Sequence, residues 1–467
     1  MPTPLLSLDP AGELPLYEQL YRALAGRIRA GELPAGRRLP GKRSLAEQLG
    51  VSVNTVDTAY QLLAAEGWLD VRPRSGFFVA GRASLPLPGL PQAAPVPPVP
   101  AAAAAPVWQF DCGTSGVDTG LFPFRTWGRI QKELLYAQPG LLAHGHPQGD
   151  EELRAAIADY LQSYRGVVCT PDQIVVGAGA EYLLSLLAVL LPGGPAALED
   201  PGYLRPRAVL GNCGVACLPV PIDAGGMDLD ALEASGARIA YVTPSHQFPT
   251  GVTMPAPRRA GLLAWAMAAP GRYVLEDDYD SEFRFDVRPL PSLQGMAGPD
   301  GPVVYLSTFS KSLAPSIRIA YMVLPRHLLG AYRARFSAYA STVSRFEQQT
   351  LYRFMAEGHF TRHLARMRKE YRARAAALTG ALESAFGADR LTFGGRQAGL
   401  HFLLRVAGGP PEGEMVRAAR AAGVRLAGLS EFCQAAVCPP STVVLGYGAL
   451  AAGQAEPLAA RLAELWR

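Results

Sequence analysis

Val303-Val304-Tyr305-Leu306-Ser307-Thr308-Phe309-Ser310-Lys311 joins an apolar, β-branched run to a lysine. The run at 303–306 predicts a short buried strand. Residues that directly follow such a strand lie at the edge of an α/β sheet where ligands bind, so Lys311 is a candidate functional residue. A solvated surface position is the more common setting for a lysine, and the surrounding motifs must therefore decide between the two interpretations.

Further β-rich runs alternate with helical stretches from about residue 107 onward. They lie at 174–176, 239–242, 273–275 and 319–324. Strands that alternate with helices are typical of a parallel sheet whose faces are covered by helices. The sequence therefore predicts an α/β body over residues 107–467.

The strand predicted at 273–276 ends in an acidic segment that carries one phenol. Asp277, Asp278, Tyr279 and Asp280 follow it, at the same predicted sheet edge as Lys311. A carboxylate there can keep the pyridine nitrogen of a cofactor protonated, so that the ring withdraws electrons from the substrate carbon. The phenol can donate to the 3-oxygen of the same ring.

Candidate phosphate ligands lie on both sides of this region. Arg318 follows Lys311 by seven residues, and a guanidinium suits bidentate phosphate binding, to which Thr308 and Ser310 can add hydroxyl donors. At 177–181 a strand turns through small residues into a helix whose free amides can face an anion. Singly, these features fit an ordinary turn and a surface ion pair, but their order along the chain favours a phosphate-bearing cofactor.

The first eighty residues carry a separate pattern, beginning with two helices. The apolar stripe at 16–28 predicts an amphipathic first helix. A capping box of Ser44 with Glu47 predicts the start of a second, and Gly50 closes it.

A third helix and a hairpin follow. Ser52 can cap the amide of Thr55 at the start of the third helix. Apolar runs at 68–71 and 77–79 flank the turn-forming residues 73–76 and predict two strands. Helix, tight turn, helix and hairpin together predict a winged helix-turn-helix domain over residues 10–80.

Residues 81–106 are nearly all Pro, Ala, Leu, Gly and Val, which predicts an extended linker without an amphipathic period. At about 3.1 Å per residue this linker can stretch to roughly 80 Å. Beyond it, we expect a large subdomain at about 150–345 and a small subdomain formed by 107–149 and 346–467.

Composition limits the possible classes of protein. The hydrophobic fraction of 49% and the charged fraction of 18% are those of a soluble globular chain. A net charge of +4 does not by itself identify a nucleic-acid partner, although the first eighty residues are locally basic. The six scattered cysteines predict reduced thiols and no metal site, and the absence of a signal or membrane-length apolar run predicts a cytoplasmic protein without a membrane partner.

Longer motifs give a specific resemblance. In the body they are His144-Gly145-His146-Pro147-Gln148-Gly149, Ser245-His246-Gln247-Phe248-Pro249-Thr250-Gly251 and Glu276-Asp277-Asp278-Tyr279-Asp280-Ser281-Glu282-Phe283-Arg284. In the head they are Pro15-Leu16-Tyr17, Asn54-Thr55-Val56 and Gly76-Phe77-Phe78-Val79. Together they resemble the MocR type of GntR regulators, which implies a winged helix fused to a fold type I aminotransferase-like body that binds pyridoxal 5'-phosphate.

The resemblance implies a role for each matching residue. Lys311 would form a Schiff base with the cofactor, Asp277 (or its neighbour Asp278) would contact the pyridine nitrogen, Tyr279 the 3-oxygen, and Tyr203 would stack on the ring. The full cofactor-binding set predicted in this way is Gly179, Ala180, Glu181, Tyr203, Gln247, Asp277, Tyr279, Thr308, Ser310, Lys311, Arg318 and His144.

Several positions depart from the pattern of the family. His144 stands where a phosphate-binding tyrosine of the partner subunit is usual, and Ser430-Glu431-Phe432 replaces a common Ser-Arg-Tyr segment. Arg205 matches a position that holds the carboxylate of an amino-acid effector. Because Glu431 removes a second such arginine, Arg425 is the remaining candidate.

The head has a departure of its own. Val53 replaces an arginine that often precedes Asn54, which leaves a side chain able only to touch a thymine methyl. Arg43, Arg72 and Arg74 suit backbone phosphates, with salt-sensitive binding expected. The predicted contacts to double-stranded DNA are Lys42, Arg43, Ser52, Asn54, Thr55, Arg72, Arg74 and Ser75.

Three functions fit the sequence. The preferred one is a transcriptional regulator that responds to pyridoxal phosphate or to an amino-acid or amine effector. The alternatives are a working aminotransferase with an accessory head and a DNA-binding protein with a vestigial body. The resemblance also implies a homodimer, in which head-to-tail exchange of domains is plausible.

Overall fold

The computed structural model describes residues 7–81, 107–285 and 290–466. The chain divides into two compact units, a head before about residue 105 and a body after it, and each is described by itself. The predicted linker lies, apart from Gly81, outside the described residues. Within the described ranges, no helix combines the length and the apolar character needed to cross a membrane.

The head contains three helices and a hairpin. Its elements are α1 (Leu16–Arg29), α2 (Lys42–Leu49), α3 (Val53–Ala65), β1 (Leu69–Arg72) and β2 (Gly76–Val79), and the two strands pair antiparallel. α1 and α3 pack around Leu20, Leu24, Val56, Tyr60 and Leu63, all of which are buried.

The helix ends of the head follow the predictions at two of three points. Ser52 caps α3 through a hydrogen bond from the Thr55 amide at 3.0 Å, and Gly50 ends α2 with a φ of 64°, in the left-handed region that glycine favours. The capping box predicted at Ser44 is wrong. α2 already begins at Lys42, because the Leu45 amide bonds to the Gly41 carbonyl at 2.9 Å and places Ser44 inside the first turn.

The body alternates helices and strands. Its helices are α4 (Phe124–Ala137), α5 (Glu151–Arg165), α6 (Ala180–Leu190), α7 (Leu204–Asn212), α8 (Leu229–Ala234), α9 (Ala256–Met267), α10 (Leu293–Ala297), α11 (Leu329–Phe336), α12 (Arg345–Ala356), α13 (His359–Phe386), α14 (Glu412–Ala421) and α15 (Ala455–Leu465). Its strands are β3 (Phe110–Asp111), β4 (Ile174–Gly177), β5 (Ala196–Asp200), β6 (Cys217–Asp223), β7 (Gly226–Met227), β8 (Ile239–Val242), β9 (Tyr273–Asp277), β10 (Val303–Thr308), β11 (Ala320–Val323), β12 (Leu391–Gly394), β13 (His401–Val406), β14 (Val424–Arg425), β15 (Ala427–Gly428) and β16 (Thr442–Gly446).

An eight-stranded sheet forms the centre of the body, in the order β4-β11-β10-β9-β8-β5-β6-β7. The pairs β10 with β9, β9 with β8, β8 with β5 and β5 with β6 are parallel. The predicted parallel sheet also contains an antiparallel strand, since β11 runs antiparallel to both β10 and β4. The connection from β10 to β11, residues 309–319, is shorter than the dozen or more residues that a parallel crossover needs.

The sheet buries nearly every residue of its central strands, and their carboxyl ends meet at one edge. β9 ends at Asp277 and β10 at Thr308, and Asp277 lies in register with Leu306. α6 packs across one face through Leu183 and Leu187. This packing fixes the strand ends, and with them the side chains of the candidate site.

A smaller layer follows toward the C-terminus. β12, β13, β16 and β15 form an antiparallel four-stranded sheet in that order. Phe402, Leu445, Leu378, Leu462 and Trp466 form a buried core between this sheet and the helices α13 and α15.

Candidate functional site

A cavity of about 580 Å³ lies at the carboxyl ends of the central strands. The residues that line it come from segments nearly 320 positions apart in the chain: Thr114, Ser115, Gly116, Ala180, Glu181, Tyr203, Arg205, Thr243, Phe248, Asp277, Tyr279, Thr308, Ser310, Lys311, Pro315, Arg318 and Phe432. Ten residues of the predicted cofactor and effector sets are therefore brought together in one place.

Lys311 lies just past the end of β10, and its amine points into this cavity. The Nζ atom donates a hydrogen bond to the Thr114 carbonyl oxygen. Burial lowers the pKa of Lys311 to about 8. The negative charge of Asp280 acts in the opposite direction, and the positive charge of Arg205 adds a smaller lowering. A substantial fraction of this amine is neutral near physiological pH, which is the state that attacks a carbonyl.

The adjacent carboxylates of Asp277 and Asp278 have different surroundings. Asp277 lines the cavity, accepts a hydrogen bond from the Tyr241 hydroxyl, and has its pKa raised to about 7 by burial. Asp278 is paired with buried Arg165 at 2.7 Å and accepts from Ser281 Oγ at 2.8 Å. Burial alone would raise the pKa of Asp278, but Arg165 holds it below its usual value.

Tyr279 rests on a buried polar cluster beside the cavity. Its hydroxyl donates to the His246 carbonyl oxygen at 3.0 Å and lies 3.1 Å from His246 Nδ1. That ring nitrogen is also 2.9 Å from Asp280 Oδ2, and the His401 ring packs against His246 with centroids 4.7 Å apart. These contacts fix the phenol of Tyr279 at the cavity wall.

One end of the cavity is built for an oxyanion. Gly179 precedes α6 with a φ of 98°, and a Cβ atom there would lie 2.1 Å from Arg318 Nη2. The absence of a side chain lets the guanidinium reach the first turn of α6, whose amides are free of helical partners. The hydroxyls of Thr308 and Ser310 lie 2.8 Å apart at the same end.

Glu181 connects two cations at this end. Its carboxylate is 2.8 Å from Arg318 Nη2 and 3.0 Å from Arg205 Nη1. Burial alone would raise the pKa of Glu181, but the hydrogen bond from Arg318 holds it below its usual value. Because one carboxylate balances only one guanidinium, this rim keeps a net positive charge.

Aromatic rings close another side. Tyr203 and Phe248 have centroids 5.4 Å apart, and Phe248 and Phe432 have centroids 5.0 Å apart, both in edge-to-face contact. Half-exposed Tyr203 offers a ring face to a planar ligand.

Four predicted residues lie outside the lining of the cavity, and Gly179, described above, is one of them. The Gln247 amide is taken up by the loop after β5 and by its own turn: Nε2 donates to the Pro201 carbonyl oxygen at 2.9 Å, and Oε1 accepts from Thr250 Oγ1 at 2.6 Å. His144 is exposed on the surface of the single chain. Arg425 pairs with Asp111 at 3.2 Å.

The segment that replaces the family's Ser-Arg-Tyr forms a closed loop. The prediction of six reduced thiols is wrong for one pair, because Cys433 and Cys438 form a disulfide in a turn that brings the two sulfurs together. The Asp200 carboxylate accepts hydrogen bonds of 2.7–2.8 Å from three successive amides of this loop, at residues 434–436. Glu431 pairs with Arg420 at 2.9 Å, outside the cavity lining.

Most of the predicted DNA contacts are exposed on the head, and some of their side chains already have partners there. Arg43, Asn54, Arg74 and Ser75 are exposed, and so is Arg72, whose guanidinium lies over the Phe78 ring at 4.3 Å. Three other predicted contacts have partners within the head. Lys42 is ion-paired with Asp57, while the hydroxyls of Ser52 and Thr55 lie 2.8 Å apart at the helix cap.

Sequence reasoning missed several residues of the cavity. Thr114, Ser115 and Gly116 reach it from almost two hundred residues before Lys311, and no local pattern marks them. Tyr241 is weakly marked in the sequence as a candidate site residue, because its hydroxyl is a polar group within the otherwise apolar strand β8, which neighbours β9.

Two family models match the chain. Residues 16–79 match the bacterial regulatory proteins of the gntR family, and residues 109–428 match aminotransferase class I and II. The two matched ranges correspond to the head and to most of the body.

Several curated relatives align over nearly the whole chain. The uncharacterized HTH-type transcriptional regulator YhdI of Bacillus subtilis is 39% identical over 95% of this chain and 94% of its own length. The probable rhizopine catabolism regulatory protein MocR of Rhizobium meliloti is 36% identical over 96% and 92%. The pyridoxine biosynthesis regulator PdxR of Corynebacterium glutamicum is 33% identical over 79% of both chains.

Solved aminotransferases share the architecture of the body. This architecture is one that binds pyridoxal phosphate. The α-aminoadipate aminotransferase LysN of Thermus thermophilus, complexed with N-(5'-phosphopyridoxyl)-L-leucine, is 28% identical over 76% of this chain and 91% of its own, with a TM-score of 0.67. With a gntR head and an aminotransferase body aligned in this order to full-length relatives, the chain belongs to the MocR-type transcriptional regulators of the GntR family.

Proposed function

We propose that this protein is a DNA-binding transcriptional regulator whose body senses pyridoxal phosphate together with an amino-acid or amine effector. The observation that carries the proposal is the single cavity that gathers Lys311, Asp277, Tyr279 and Arg318 in a chain that also has a gntR head. The effector acts on DNA binding only through different affinity for two states of the protein.

The part of the cavity around Lys311, Asp277 and Tyr279 fits the ring of the cofactor. Bound pyridoxal phosphate supplies an electrophilic carbonyl and an electron-withdrawing ring. Lys311 presents an amine of lowered pKa to that carbonyl, and Asp277 faces the cavity where a protonated ring nitrogen can be balanced. Asp278 is already committed to Arg165, so Asp277 takes this role. Tyr279 and Tyr203 supply a phenol donor and a stacking face.

The anion end fits a phosphate. The space that a side chain at Gly179 would fill is used by the Arg318 guanidinium, and the hydroxyls of Thr308 and Ser310 stand beside the free amides of α6. Glu181 positions Arg318 from the opposite side. We assign His144, which is exposed on the single chain, to the cofactor site of a partner subunit. Gln247 supports the site indirectly, because its amide donates to the Phe248 carbonyl oxygen and so holds the turn that carries Phe248.

Arg205 is the residue that we assign to the effector. It lines the cavity, its side chain is 58% exposed, and among the described residues it is ion-paired with Glu181 alone. A carboxylate on the effector can replace Glu181 on this guanidinium. Arg425 has no comparable geometry in the described residues, since it is paired with Asp111 and does not line the cavity.

The head supplies the DNA contacts. Exposed Arg43, Arg72 and Arg74 suit backbone phosphates, while Asn54 projects from the first turn of α3, the helix placed to enter the major groove. We further propose a homodimer in the cytoplasm whose two heads contact two half-sites, with the domains exchanged head to tail between the subunits.

Cofactor binding is tested with purified protein and added pyridoxal phosphate. We expect an absorbance band for the lysine-bound cofactor that disappears in Lys311→Ala and persists in Lys369→Ala, a matched control at an exposed position of α13. A band of equal strength in Lys311→Ala would refute the assignment of this lysine.

The regulatory role is tested by DNA binding upstream of neighbouring genes. We expect the affinity for one such fragment to change when pyridoxal phosphate and a candidate amine are added together, and this response to be lost in Lys311→Ala. Sustained turnover of an amino acid with a keto acid, at ordinary enzyme rates of about 1–1,000 per second, would instead favour a working aminotransferase.

A further inference from the structure

A second cluster of cations lies outside the Lys311 cavity, around Arg284. This arginine follows the acidic segment of β9 and lies between the central sheet and the loop that joins β12 to β13. Its Nη2 donates to the Ser245 carbonyl oxygen at 2.8 Å. Its Nε and Nη1 are shielded from solvent and have no hydrogen-bond partner in the part of the chain that the structure describes.

Other buried arginines of the body are satisfied. Arg259 donates to three carbonyl oxygens at 2.7–2.9 Å. Arg165 is paired with Asp278 and also donates to Ser245 Oγ at 2.8 Å. Against this background, the two unpartnered N–H groups of Arg284 are exceptional, because buried polar groups in native proteins are nearly always hydrogen-bonded.

Arg284 has no direct ion pair among the described residues. Burial lowers its pKa to about 10, the charge of Arg165 adds to this lowering, and the charges of Asp278 and Asp280 oppose it, so the group stays cationic at neutral pH. A largely buried cation that is not directly paired is costly. A bound anion would remove that cost.

Arg284 lines two cavities, and their linings differ. The smaller, of about 180 Å³, also contains Arg165 and Arg368, but Arg165 is already paired with Asp278, and the lining includes the Glu282 carboxylate, whose pKa burial raises to about 7. The larger, of about 280 Å³, contains a second guanidinium from Arg396 and the polar groups of Thr253 and Gln397, and none of the described residues that line it carries a carboxylate. An anion is therefore favoured in the larger cavity.

We propose that the cavity between Arg284 and Arg396 is a second ligand site, which binds a small oxyanion: a phosphate or a carboxylate, free or carried by a metabolite. The planar fork of a guanidinium matches both groups. Arg396 is 54% exposed and holds Glu383 only at 3.5 Å, so it can turn toward a ligand.

The position of this site connects two parts of the body. One wall is Gly251, the end of the segment that carries Phe248 in the Lys311 cavity, and the other is the loop at 393–398. A Cβ atom at Gly251 would lie 2.3 Å from the Gly395 Cα atom, so these two segments are in close contact. An anion held between Arg284 and Arg396 would join them.

The test is a thermal-denaturation titration with inorganic phosphate and, separately, with acetate, each against sodium chloride at equal ionic strength. We expect a saturable rise in Tm for one or both anions in the wild type and a loss of apparent affinity of at least about tenfold in Arg284→Gln. Arg284→Lys keeps the charge without the fork and should also bind weakly. Arg326→Gln, at a surface ion pair with Asp300, is the matched control and should respond as the wild type does.

Phosphate held at the Arg318 end of the first cavity has to be excluded. Each titration is therefore run on protein loaded with pyridoxal phosphate and again on unloaded protein that carries Arg318→Gln. Equal responses in the wild type and Arg284→Gln, or a response that disappears with Arg318→Gln alone, would overturn the proposal. In chloride alone Arg284→Gln should melt no lower than the wild type, since it removes an unpaired buried charge.

Discussion

The lowered pKa of Lys311 makes a quantitative prediction about the pH dependence of cofactor capture. With a pKa of about 8, about a quarter of the amines are neutral at pH 7.5, against roughly one in a thousand for an ordinary lysine. The wild-type protein should therefore capture pyridoxal phosphate with a rate that rises with pH and levels off above a midpoint near 8. The sign follows from burial, which disfavours the protonated amine.

The measurement is stopped-flow absorbance of the lysine-bound cofactor from about pH 6.5 to about pH 9.5, in buffers without primary amines. A lysine amide in the same buffers corrects for the titration of the cofactor itself. Arg205→Gln should move the midpoint upward, because the Arg205 charge contributes to the lowering. Arg207→Gln, an exposed position two residues further along α7 that does not line the cavity, is the control and should leave the midpoint unchanged. A corrected wild-type rate that still rises without levelling off at the upper end of this range, as expected for a lysine with the ordinary pKa of 10.5, would refute the reasoning.

Three further predictions test the framework of the site and the head. Asp278→Asn should lower the free energy of unfolding by about 3–5 kcal/mol, because it removes the counter-charge of buried Arg165. Asp277→Asn should keep most of that free energy and instead weaken cofactor binding. Chemical denaturation measures the first effect, and cofactor titration measures the second. Gly179→Ala should lower cofactor affinity through its clash with Arg318, while Gly380→Ala, with open space in α13, should not, as equilibrium dialysis would show. Ser52→Ala should destabilise the head by about 1 kcal/mol through loss of the helix cap, and an unchanged melting transition of the head would contradict that role.

Local chemistry made much of the head predictable. Ser52 and Gly50 act on amides and backbone angles within a few residues, so their effects are visible in the sequence. The prediction at Ser44 was wrong because the Ser-x-x-Glu pattern of a capping box can also occur inside the first turn of a helix. The carbonyl that accepts from the Leu45 amide, that of Gly41, shows where the helix begins.

In the body, the sequence located the strands but not every direction or partner. The antiparallel course of β11 follows from the short connection at 309–319, which is too short for a parallel crossover. The pairing of Cys433 with Cys438 depends on a turn that is folded onto Asp200, a residue more than two hundred positions away. Contacts over such separations are set by the tertiary fold, and no local pattern announces them.

The choice between Asp277 and Asp278 shows where the limit lies. Asp277 is the last residue of β9 and Asp278 lies just beyond it, and successive side chains of an extended segment point in opposite directions, so only one of the two carboxylates is expected to face the cavity. The sequence did not imply which one, because the answer depends on what covers each face. Arg165, at the end of α5, comes within 2.7 Å of Asp278 and takes that carboxylate as its counter-charge, while Tyr241 from the neighbouring strand reaches Asp277. The same alternation that creates the ambiguity therefore separates a structural ion pair from the carboxylate that faces the ligand.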